Sequence, residues 1–177
     1  MKRLLFRLLF AELVLRLIAR HDRSISGRER LLPSNNIAFP IQTLRSVGGF
    51  DERYRTAEDR ELCRRWAEAG FILGRVPGAI VEHDRQLDLK SFVSKFVAYG
   101  RGAARFHSSG ANPSLHESLR FHFRLPILLL PELRERGFAR SFGVVTLLVL
   151  WETANLIGYV AEKAQAAQSL NHQREKA

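Results

Sequence analysis

The sequence predicts an α/β chain: a short mixed sheet with flanking helices, followed by an α-helical, membrane-associated tail. Three observations lead there. Two short apolar runs rich in β-branched residues, "FILGRV" and "AIVEH", are separated by a Pro-Gly turn. On either side lie segments whose apolar residues recur at helical spacing. Beyond residue 120 the apolar runs lengthen, and residues 141–161 carry a single charge, Glu152.

With 177 residues the chain is long enough for one ordinary domain with its own core. A formal net charge of +10 calls for an anionic partner: nucleic acid, a membrane face or a phosphorylated substrate. The arginines are dispersed from Arg3 to Arg174, which suits a membrane-facing protein better than a groove reader. A helix-turn-helix over "RELCRRWAEAGFILGRVPG" ranks last, because the part after the turn is apolar and reaches Pro77. No nucleic-acid partner is expected. Cys63 is the only cysteine, so no intramolecular disulfide can form and a reducing compartment is the default.

Residues 1–33 are expected to form an N-terminal amphipathic helix and a connector. Arg7, Glu12 and Arg16 interrupt the apolar centre that a secretion signal needs. Glu12, Arg16 and Arg20 share one helical face. Residues 34–107 form the folded subdomain. Asn35 to Phe39 is a strand candidate closed by Pro40. "IQTLRSVGG" reads as a short helix ending at a glycine pair. Thr56 is the expected N-cap of the next helix, with Asp59 at its third position. Leu62, Cys63, Trp66 and Ala69 are the buried stripe, and Gly70 is the stop. Strands are expected over 71–76 and 79–83, then a helix on which Leu89, Phe92, Val93, Phe96 and Val97 repeat.

Residues 108–120 read as a linker, 121–165 as membrane-associated helices and 166–177 as a flexible tail. The segment with Pro126 and Pro131 is too short to span and suits an interface. Residues 141–161, as a helix, are about 30 Å long, the thickness of a bilayer core. Glu152 near the centre costs roughly 2.5 kcal/mol unless it faces protein or water. Arg134, Arg136 and Arg140 would keep the preceding domain on the cytoplasmic face of the inner or plasma membrane. The competing reading is a buried helix hairpin in a soluble core.

Within this basic chain, Asp51, Glu52, Glu58 and Asp59 fall in nine positions. Locally, acids in a first helical turn interact with the macrodipole, and Asp51 and Glu52 suit a solvated turn. The wider pattern runs "NNIAF", "LRSVGGFDERY", "EDRELCRRWAEAGFILGRVPGAIVEH", then "FVSKFVAYGRGAARF". Over roughly residues 34–106 this order resembles the carboxy-terminal, acceptor-side half of family 2 inverting glycosyltransferases of the GT-A type.

The resemblance implies a sugar transfer from a nucleotide-sugar donor to a hydroxyl acceptor. It gives Asp59 the role of general base and Glu58 that of a supporting neighbour. Asn36, Asp51, Glu52 and Arg64 (or Arg65) are implied to contact substrate, and His83 to complete a divalent metal site holding manganese or magnesium. "YGRGAAR" is similar to the family's mobile element at the site mouth. Its local reading is a helix weakened by glycine. The family's preceding nucleotide-binding half ends in Asp-x-Asp, which occurs nowhere in these 177 residues. The chain alone is therefore expected to be inactive and not to bind the metal, with that half as its missing partner. The alternative is a non-catalytic, membrane-bound interaction module.

Overall fold

The computed structural model describes residues 34–74, 76, 78, 79, 81, 88–109, 124, 127 and 138–176. The expected N-terminal helix, most of 79–83 and most of the stretch from 110 to 137 lie outside the described residues. A 3₁₀ turn at Ser34–Asn36 precedes four helices: α1 (Ile41–Ser46), α2 (Glu58–Glu68), α3 (Leu89–Ser108) and α4 (Phe138–Glu175).

The expected mixed sheet is not there. Among the described residues no segment is a strand, and Leu73 makes a single isolated bridge. The first strand candidate begins as the 3₁₀ turn, and residues 71–74 are extended or irregular around that bridge. The GT-A-like half-sheet is thereby corrected to a helical arrangement. The alternation that suggested a strand is nevertheless real: Ile37 and Phe39 are half-buried while Ala38 and Pro40 are exposed. Among the described residues no strand lies beside them, and a strand without a ladder gains nothing from its extended form. Side chains hold these segments instead. The Phe39 and Phe71 rings lie 4.7 and 5.0 Å from Trp66. Trp66 Nε1 also donates to the Ile72 carbonyl at 3.3 Å. Cys63, Trp66 and Leu73 form a small core, with Ile37, Phe39 and Val47 against it.

Helix α1 ends where predicted, with Gly48 and Gly49 at positive φ. The start of α2 differs from expectation. Its N-cap is Ala57, in a left-handed conformation at φ 66° with no side-chain cap. The Thr56 hydroxyl instead donates to the Ala98 carbonyl of α3 at 2.8 Å. A contact distant in sequence has thus taken the capping group. On the buried face Leu62, Cys63 and Trp66 are as predicted, Ala69 is exposed and Glu61 is buried.

Helix α3 is capped by Asp88, whose Oδ1 accepts from Ser91 N at 2.7 Å. Its Phe92 and Phe96 pack with Ala154 of α4, flanked by Val97, Leu150 and Trp151. The two helices run parallel. Phe96 meets Trp151 (6.0 Å between rings), Arg105 Nε donates to Glu162 Oε1 at 2.5 Å, and Lys163 Nζ to Ser108 Oγ at 2.8 Å. Small residues four apart permit the approach: Gly100 and Ala104 on α3, Ala154 and Gly158 on α4. A Cβ on Gly100 would overlap the Asn155 carbonyl, and one on Gly158 the Val97 carbonyl. The glycines of "YGRGAAR" therefore sit inside a continuous helix, Gly100 setting the contact with α4 and Gly102 a contact with Thr56. Helix α4 is the one helix among the described residues long and apolar enough to cross a membrane, over Ser141–Glu175.

Substituting Gly100 or Gly158 by valine should lower stability by about 1–3 kcal/mol, the usual cost of overpacking. Gly74→Ala, with open space around it, should be nearly neutral. Thermal melts followed by helical circular dichroism would check both.

Candidate functional site

The site is built on one buried ion pair. Glu61 on α2 is only 3% exposed. Both its oxygens take bonds from Arg65, Oε1 from Nε at 2.7 Å and Oε2 from Nη2 at 2.6 Å. The same guanidinium donates to the Gly49 carbonyl at 2.6 Å and to the Val47 carbonyl. A residue on α2 thereby fixes the glycine turn that launches "FDERY". The planar fork of arginine is suited to this, because it can hold a carboxylate and two carbonyls at once.

Beyond the turn, Asp51 is held by Arg53. Its Oδ1 accepts from the Arg53 backbone N–H at 3.0 Å, and Nη2 reaches Oδ2 at 2.7 Å. This guanidinium holds the Asp51 carboxyl down at about 2, well below the ordinary carboxylate range. Arg105 donates to the Arg53 carbonyl at 3.4 Å, and Thr56 is bonded to α3, so the loop is tied at both ends.

At the first turn of α2 the two central acids share Ser34. Glu58 Oε1 accepts from Ser34 Oγ and Asp59 Oδ2 from Ser34 N, each at 3.3 Å. Asp59 Oδ1 accepts from Arg60 N at 2.8 Å. Among the described residues, no lysine or arginine forms an ion pair with either acid. Asp59 is thus oriented by neutral N–H donors, and no guanidinium saturates it as Arg53 saturates Asp51. The strained αL residue immediately before, Ala57, sets the angle at which this turn begins.

The remaining sequence-predicted residues fall in different places. Asn36, on the same 3₁₀ turn as Ser34, donates from Nδ2 to the Ala79 carbonyl at 2.9 Å. Glu52 is exposed. The Arg64 guanidinium is occupied within its own helix, by Glu68 at 2.7 Å and Glu61 at 3.3 Å. His83 lies outside the described residues, and among those described no three His, Cys, Asp or Glu side chains could hold a metal ion. Sequence reasoning missed Ser34, Arg53 and Glu61. Of these, Glu61 had a readable signal, the i,i+4 spacing to Arg65.

Removing one partner of the buried pair, as in Arg65→Met, should cost about 3 kcal/mol by stranding Glu61. Glu61→Gln with Arg65→Met should recover part of it in chemical denaturation. For Asp51, the folded form binds its proton only near pH 2. Its contribution to stability is therefore complete above the unfolded pKa, roughly 3.9, and is lost as pH falls through about 2. Carboxylate NMR titration should place the Asp51 midpoint well below ordinary aspartates, and Arg53→Ala should return it upward.

Comparison with known proteins gives a partial relative. The chain is 40% identical over 73 residues to the pre-mycofactocin glycosyltransferase of Mycobacterium tuberculosis, in strains CDC 1551 / Oshkosh and ATCC 25618 / H37Rv. The match covers 41% of this chain and 16% of the relative, so the chain spans about a sixth of the length of the curated relatives it matches. No family model and no solved structure matches the chain. The similarity supports a relationship to glycosyltransferases.

Proposed function

We propose that the chain is the acceptor-side part of a membrane-associated, inverting glycosyltransferase of family 2 type, with Asp59 as its general base. The observation that carries the reading is the 73-residue similarity, at 40% identity, to a protein named a glycosyltransferase. The site geometry supports Asp59 for the base. Its carboxylate is held at the start of α2 by backbone N–H groups, the fixed position that a base acting on a hydroxyl requires.

In this reading the acceptor hydroxyl gives its proton to Asp59 as its oxygen attacks the anomeric carbon. The nucleoside diphosphate leaves from the opposite face, and the configuration inverts. Glu58 braces the base through their shared Ser34, while Asn36, Asp51 and Glu52 lie on the acceptor side. A nucleotide-binding unit, from sequence beyond these residues or from another chain, would hold the donor. With it would come a divalent metal, manganese or magnesium, to which His83 could contribute a ligand. Helix α4 and the arginines at 134, 136 and 140 support placement at the cytoplasmic face of the membrane.

The test joins an amino-terminal nucleotide-binding unit to the chain and follows transfer or hydrolysis of the nucleotide sugar. Asp59→Asn should lower the rate by about 10²–10⁴-fold, the usual contribution of a positioned base. Glu58→Gln should cost less. Equal rates for wild type and Asp59→Asn would remove Asp59 from the role.

A further inference from the structure

The long apolar helix raises a question that its length alone leaves open: does it pass through the bilayer or lie upon it? Helix α3 answers it. The two helices are parallel and in contact from Phe92 and Leu150 to Ser108 and Lys163. A spanning α4 would take α3 into the hydrocarbon alongside it. Lys95 of α3, beside the Phe96 that meets Trp151, and Thr56, which donates to the Ala98 carbonyl, would go too, with Arg101, Arg105 and Glu162 at the boundary. Buried ionisable groups of this kind are expensive in lipid. One face of α3 is therefore built for water.

The opposite side of α4 is built for something apolar. Val144, Ala154 and Gly158 face α3 and are buried. Phe142, Val145, Val149, Leu156 and Val160 recur at helical spacing on the other face, and each is 41–67% exposed. A second copy of the chain is a poor occupant, since it would bring together two molecules of net charge +10. An anionic lipid surface is complementary to that charge and accepts the apolar stripe.

We propose that α4 lies in the plane of an anionic bilayer surface, with the Phe142–Val160 stripe in the lipid and α3 on its water side. The inference rests on the membrane association proposed above and is independent of the catalytic reading. It makes α3 and α4 a two-layer raft that carries the loop of Asp51 and the first turn of α2 at a fixed height above the lipid.

Two measurements on the full chain test it, using vesicles of phosphatidylcholine with about a third phosphatidylglycerol. In a Cys63→Ala background, environment-sensitive fluorophores are placed singly at Val149→Cys, near the centre of the 141–161 stretch, and at Val160→Cys, near its end. Depth is then read with spin-labelled lipids. These positions are about 16 Å apart along a helix, and the expected result is one shared, shallow depth. Clearly different depths in vesicle-bound protein would overturn the in-plane arrangement while leaving membrane association intact. The second measurement is vesicle co-sedimentation of Val149→Asp with Leu156→Asp, with helicity checked by circular dichroism. Binding should fall roughly tenfold or more. Helical wild-type protein that fails to bind vesicles would sink the membrane reading itself. Stripe variants that disrupt self-association and leave vesicle binding unchanged would hand the stripe to a second copy.

Discussion

A carboxylate on the buried face of a helix has to be answered, and the answer given to Glu61 organises the candidate site. At 3% exposure, leaving it ionised and unpaired would cost several kcal/mol. Arg65 meets it with two short bonds, and the remaining donors of the same guanidinium reach the Val47 and Gly49 carbonyls. An ion pair of this sort is weak evidence for stability, because its desolvation offsets its attraction. Its value here is positional. The end of α1, the glycine turn and α2 are fixed relative to one another by one planar group, and every acid of the site lies on or just beyond those elements.

The strained cap of α2 follows from a second competition. Thr56 is a better N-cap than Ala57 by local chemistry. In the fold its hydroxyl is taken by the Ala98 carbonyl, and Gly102 of α3 presses against it so closely that any side chain there would overlap Thr56. The helix starts one residue later, at a left-handed alanine, a conformation that costs a non-glycine residue about 1 kcal/mol or more. The cost falls immediately before Glu58 and Asp59.

How legible this was in the sequence depended on the kind of signal. The helices were readable because each satisfies its own backbone. The glycine pair after α1, Gly70 after α2 and the Phe92–Phe96 repeat all fell where spacing put them. The strands were not, because the same alternation at Ile37 and Phe39 is compatible with a ladder or with side-chain docking on Trp66. Only the presence of a neighbouring strand decides between them. Asp59 and Glu58 were legible as a pair. Their common tether, Ser34, was not, since no local pattern links residues 24 and 25 positions apart. No local pattern separates Arg64 from Arg65; in the fold Glu61 and Glu68 occupy Arg64, and Arg65 holds Glu61 and the glycine turn.

Helix α3 connects the two ends of the molecule, and its glycines explain how. Residues two apart on a helix project to nearly opposite sides, about 200° around the axis. Gly100 admits the Asn155 carbonyl of α4, and Gly102 admits Thr56 of the loop before α2. Arg105, one turn on, repeats the arrangement with polar groups, bonding Glu162 on one side and the Arg53 carbonyl on the other. A single helix thus carries close backbone contacts on both flanks, which only glycine permits, and each is reinforced by the same arginine. The contacts of α3 therefore join α4 to the loop that holds Asp51 and to Thr56, two residues before Glu58. The acids and the apolar helix, which the sequence presents as separate features, are linked through one helix.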